Sequence, residues 1–135
     1  MQYRRPKKKS PYFVEPEIFD NVVTFCRCYP LWVKELQTLP DSSRAITYDK
    51  DKVQTSGGYN VTEALALKRV EIEHKVDLIR TTAMISSPDL WEWIIKGTTE
   101  KGVTINDLIY QGMPCNKNHY AKIRAYFYYL LSKRI

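Results

Sequence analysis

A chain of 135 residues with 21 Lys and Arg against 15 Asp and Glu carries a formal charge of +6, and 44% of it is apolar. That suits one domain with one hydrophobic core. It leaves no apolar run near the roughly 20 residues that span a bilayer, and no apolar stretch behind the basic N-terminus to make a secretory signal.

Met1 to Tyr12 reads as a disordered basic arm, with Arg4, Arg5, Lys7, Lys8 and Lys9, prolines at 6 and 11, and no apolar pattern. Residues 13–135 read as a single helical domain. Over 16–39, Ile18, Val22, Phe25 (or Cys26), Tyr29, Trp32, Val33, Leu36 and Leu39 recur at spacings of three and four, which predicts helix. Pro30 either kinks one long helix or sits in the first turn of a second, because it lacks the amide hydrogen an interior turn needs. Residues 40–60, with Pro40, Asp41 and Gly57-Gly58, read as a loop.

A long helix is predicted over 61–85, capped by Asn60 with Glu63 three residues on. Leu65, Ile72, Val76, Ile79 and Ala83 form one stripe, and Leu67, Val70, His74 and Leu78 a second beside it, so two packing partners are expected. His74 reads as an interfacial histidine. Ser87-Pro88 opens another helix, buried through Leu90, Trp91, Ile94 and Ile95 and ended by Gly97. Thr104 to Asp107 is a capping-box pattern before a short helix of Leu108 and Ile109 that stops at Gly112. The last helix starts near Cys115 or Asn116. Tyr120, Ile123, Phe127, Leu130 and Leu131 share its apolar sector, expected to pack on Leu90, Ile94 and Leu108; Asn118, Lys122, Ala125 and Tyr129 project the other way.

The fold class expected is therefore all-α, and residues 104–135 have the layout of a helix-turn-helix. Charge sharpens that reading. Asn116 to Ile135 holds Lys117, Lys122, Arg124, Lys133 and Arg134 and no acid, and Met1 to Ser10 holds five cations and no acid. All 15 acids thus lie between residues 11 and 115, against the remaining 11 cations. Positive charge gathered at both ends suits a polyanion partner better than an evenly basic chain does. Lys117, Asn118, His119 and Lys122 are placed to read a DNA groove, because Asn pairs with adenine and Lys donates to guanine acceptors. Arg124, Lys133, Arg134 and the arm would meet phosphates.

Catalysis is not expected. No phosphate-binding glycine loop, zinc-protease or nucleophile-elbow string is present, and Glu71 and Glu73 face different ways on a helix. Cys26, Cys28, Cys115 and His119 could be assembled into a zinc set. On a helix, however, Cys26 and Cys28 point about 200° apart, so neither metal nor cofactor is expected. Three cysteines matching no disulfide framework suit a reducing cytoplasm.

Three stretches carry a family resemblance: RCYPLWVKEL (27–36), TEALALKRVEIEHKVDLIRTT (62–82) and QGMPCNKNHYAKIRAYFYYLLSKRI (111–135). In that order they resemble the small phage late-transcription regulators of Gram-positive bacteria, the RinA/ArpU-like group, regarded as distant relatives of the DNA-binding part of sigma factors. The terminus departs from that pattern at Ala121 and Ala125, which dilute the Arg/Lys run before the aromatic pair. The resemblance implies binding to a phage promoter region and activation of late genes with host RNA polymerase, in the bacterial cytoplasm. A different class of function is also open. The helices at 16–39 and 61–85 could serve a protein partner, making the chain an adaptor or assembly protein; an apolar surface left exposed on them would favour that.

Overall fold

The computed structural model describes residues 8–39 and 61–135, and side chains of the second stretch from Glu63 onward. The loop expected over 40–60, the Asn60 cap, and Arg4, Arg5 and Lys7 lie outside the described residues. All regular structure described is helical: α1 (Pro16–Arg27), α2 (Tyr29–Thr38), α3 (Val61–Ser86), α4 (Trp91–Thr99), α5 (Ile105–Tyr110) and α6 (Lys117–Ser132).

Two compact units result. One comprises residues up to Pro30 together with Leu78–Ile135, the other Leu31–Asp77. In the first, α4 packs against α1, α5 and α6, and α6 packs also against α1 and α5. Phe19, Val22, Cys26, Ile79, Ala83, Ile94, Leu108, Phe127 and Leu131 have no exposed surface. Phe19 meets the Tyr128 ring edge-on at 5.1 Å. Pro30 takes the second of the alternatives open to it: α1 stops at Cys28, whose amide donates to the carbonyls of Thr24 and Phe25, and Pro30 sits in the first turn of α2.

The buried stripe of α1 is Phe19, Val22, Val23 and Cys26, while Ile18 is exposed. The expected stripe is one residue out at its start because Ile18 and Phe19 are both apolar, and spacing alone does not choose between neighbours.

In the second unit, several polar groups join α2 to the start of α3. The Arg69 guanidinium donates from Nη1 to the carbonyls of Leu36 (2.8 Å) and Leu39 (3.1 Å) at the end of α2. It thereby satisfies groups a helix terminus leaves unpaired. The same side chain pairs with Glu73 at 2.9 Å, Lys68 pairs with Glu35 at 2.8 Å, and Lys75 lies over the Trp32 ring. Of the two stripes expected on α3, the first is largely buried, with Ile72, Val76, Ile79 and Ala83 inside. The second is not: Leu67 is 60% and Val70 55% exposed, and His74 is exposed too. This corrects the expectation that the second stripe is buried and that His74 is interfacial.

Ser87 makes the expected capping bond, accepting from the Leu90 amide at 3.2 Å, but regular helix begins only at Trp91. Gly97 does not end α4, which runs on to Thr99. Its role is spacing. A Cβ built there would fall on the Tyr120 hydroxyl and sit 3.0 Å from Leu108 Cδ1. The missing side chain is what lets α4 approach α5 and α6 at this point.

Candidate nucleic-acid interface

Local chemistry defines both ends of the short helix before α6. Thr104 accepts from the Asp107 amide at 3.2 Å, and Asp107 accepts from the Thr104 amide at 2.9 Å, a complete capping box. At the other end Gly112 adopts φ +105°, a left-handed conformation costly for other residues. Its amide donates to the Ile109 carbonyl (3.0 Å), and that of Met113 to the Leu108 carbonyl (3.1 Å). This is the Schellman arrangement. Leu108 and Met113 are buried beneath it, while Ile109 is 42% and Tyr110 93% exposed. A short turn then leads to Asn116, whose side chain accepts from the His119 amide at 2.8 Å and starts α6.

Lys117, Asn118, His119 and Lys122 are all exposed. Asn118 and Lys122, four residues apart, share one face, with Lys117 and His119 on its flanks. No acid follows Asp107 in the chain. The Cys115 thiol has its pKa raised by burial, so it adds no negative charge at neutral pH. The N-terminal two turns of α6 therefore present donors and positive charge to solvent.

The other site residues do not join this group. Arg124 lies about 240° around the helix from Asn118. It is half-buried, with its guanidinium over the Tyr120 ring at 5.5 Å. Lys133 and Arg134, both exposed, follow the end of α6, with Lys133 over the Tyr129 ring at 5.1 Å. Lys8 and Lys9 are exposed within a turned segment that leads into α1. Ala125 and Tyr129, expected on the open side, are half-buried. Tyr12 covers that side, with its ring 5.1 Å from Tyr126 and 6.0 Å from Tyr129. Nothing in the helical periodicity of α6 signals this contact, because its partner comes from the far end of the chain. The buried Tyr128 was missed for a related reason: the aromatic run 126–129 offers several equivalent choices to a pattern based on spacing.

Tyr120 anchors the helix from beneath. It is 1% exposed, and its hydroxyl finds no hydrogen-bond partner among the described residues. Burial pushes its pKa from 10.0 up to about 12, with Arg124 opposing in part. Burial raises Cys26 and Tyr128 as well. These groups ionise more readily once unfolded, so the stability they lend is present below their unfolded pKa values and lost as pH rises through the folded ones. Stability should therefore fall steadily from about pH 9 to pH 12. Tyr120→Phe should add about 1 kcal/mol at neutral pH by removing an unpaired buried hydroxyl. It should also flatten the decline between about pH 10 and 12. Urea melts across pH read both effects, and a Tyr120→Phe protein less stable than the parent at neutral pH would show that the hydroxyl is paired.

Among the described residues no helix is long and apolar enough to cross a membrane. No protein-family model, curated protein or solved structure gives a significant match to this chain.

Proposed function

We propose that this protein binds double-stranded DNA, with α5, the Gly112 turn and α6 acting as a helix-turn-helix and the first two turns of α6 entering the major groove. The observation that carries the reading is the exposure of Lys117, Asn118, His119 and Lys122 together at the start of a helix whose opposite side is built into the core. In this motif those turns reach base edges, while the flanking cations meet phosphates. With the resemblance read from the sequence, the proposal extends to a phage-encoded transcription regulator. It would activate late genes with host RNA polymerase in the bacterial cytoplasm, without catalysis.

The two side chains of the shared face should separate by experiment. Lys122→Ala should weaken binding to all duplexes and make the slope of log K against log salt shallower by about one. Asn118→Ala should leave that slope unchanged. It should narrow the gap between a selected site and random DNA by about 1–3 kcal/mol. Anisotropy titrations on both duplexes at several salt concentrations measure this. Unchanged binding in both variants would place the interface elsewhere.

A second reading has its own observation. Leu67 and Val70 leave an apolar stripe open on α3, the feature expected of an adaptor that works through a protein partner. Leu67→Lys with Val70→Lys should then abolish association with that partner and leave DNA binding untouched.

A further inference from the structure

Lys8 and Lys9 are remote in sequence from Lys133 and Arg134, but the segment they lead into meets the end of α6. Tyr12 lies against Tyr126 and Tyr129 in the last turns of α6, with ring centroids 5.1 and 6.0 Å away. The lysine after that helix, Lys133, lies over the same Tyr129 ring at 5.1 Å. The segment bearing Tyr12 is turned: Phe13 donates to the Ser10 carbonyl at 3.2 Å and Tyr12 to the Ser10 hydroxyl at 3.1 Å. Just beyond it, Val14 is buried. Lys8 and Lys9 are exposed and no more than four residues from Tyr12, so their backbone lies within about 14 Å of it even if extended.

We infer that Tyr12 fixes the root of the N-terminal basic segment to the C-terminal end of α6, fusing Lys8, Lys9, Lys133 and Arg134 into one phosphate-binding patch for duplex DNA. The inference rests on the DNA reading above and adds a second contact to it. A helix of 16 residues is about 24 Å long. The patch therefore stands well away from Lys117 and Asn118, at the far end of the same rod. A duplex whose major groove takes the start of α6 passes its backbone along the helix, and phosphates flanking the groove fall to the patch. The patch carries no base-reading geometry. Its contribution is affinity and register, as expected of charges that release counterions from the backbone. Tyr12 touches no DNA and acts as a positioning residue: a tyrosine held against the rings of Tyr126 and Tyr129 makes the origin of the arm definite, so less freedom is lost when the arm meets DNA.

Each phosphate contact steepens the fall in affinity between 50 and 200 mM salt by about 3.5-fold. Tyr12→Ala in the full chain should make that fall about tenfold smaller, as for two lost contacts, while Tyr12→Phe, which keeps the ring, should match the parent. In a chain lacking residues 2–9, Tyr12→Ala should change nothing further, because no arm remains to be positioned. A merely structural Tyr12 would cost the same binding in both backgrounds. That result, or parent-like salt dependence of Tyr12→Ala in the full chain, overturns the inference and leaves the groove reading intact. If the parent binds no duplex at all, both fall.

Discussion

Phe127→Ala is expected to remove about 3–5 kcal/mol of folding stability. Phe127 has no exposed surface, on a helix that packs against α1, α4 and α5 at once. Its ring lies 5.7 Å from that of Tyr128, which in turn meets Phe19. Three helices hold the site, so the surroundings cannot collapse into the gap, and the cost is the lost transfer free energy plus that of a cavity. A domain of this size has about 5–15 kcal/mol in total. The melting temperature should fall by about 10–20 °C. Thermal and urea unfolding measure this, and a loss under about 1 kcal/mol would mean that α6 is not seated on this core.

The second large effect runs against intuition. Replacing a glycine inside a helix by alanine ordinarily stabilises, by about 0.5–1 kcal/mol. Gly97→Ala should instead destabilise by about 1–3 kcal/mol. The new methyl group would collide with the Tyr120 hydroxyl and stand 3.1 Å from Tyr120 Cζ. The hydroxyl is the nearest obstacle, so Tyr120→Phe should recover part of the loss. The coupling between the two substitutions should exceed about 0.5 kcal/mol. A stabilised Gly97→Ala protein, or strictly additive effects, would show that α4 and α6 do not approach each other here.

These two sites also mark how far the sequence could be read. The all-helical class, the capping box at Thr104 and Asp107, the Gly112 stop and the Asn116 cap were legible, because each depends on residues within one or two turns of each other. Gly97 was misread as a stop because its reason is a tertiary approach by Tyr120. Ile18 was chosen over Phe19, and Leu67 and Val70 were expected inside, because apolar residues at helical spacing mark where a face can be buried, not whether a neighbour arrives to bury it. In the candidate interface, the exposure of Lys117, Asn118, His119 and Lys122 follows from the helical repeat. The separation of Arg124 from that face follows from it too, in keeping with its assignment to phosphates and not to the groove. The covering of Tyr129 by Tyr12 was beyond reach, since no local pattern links residues 117 apart.

The central claim is that the start of α6 meets duplex DNA. Backbone amide shifts of the full chain, followed by NMR as a mixed-sequence duplex is added at low salt, test it most directly. The account predicts changes concentrated at residues 116–124, with a second group at Lys8, Lys9, Lys133 and Arg134, and a quiet surface around Leu67 and Val70. A spectrum unchanged at residues 116–124 under excess DNA, or changes centred on Leu67 and Val70, would contradict it.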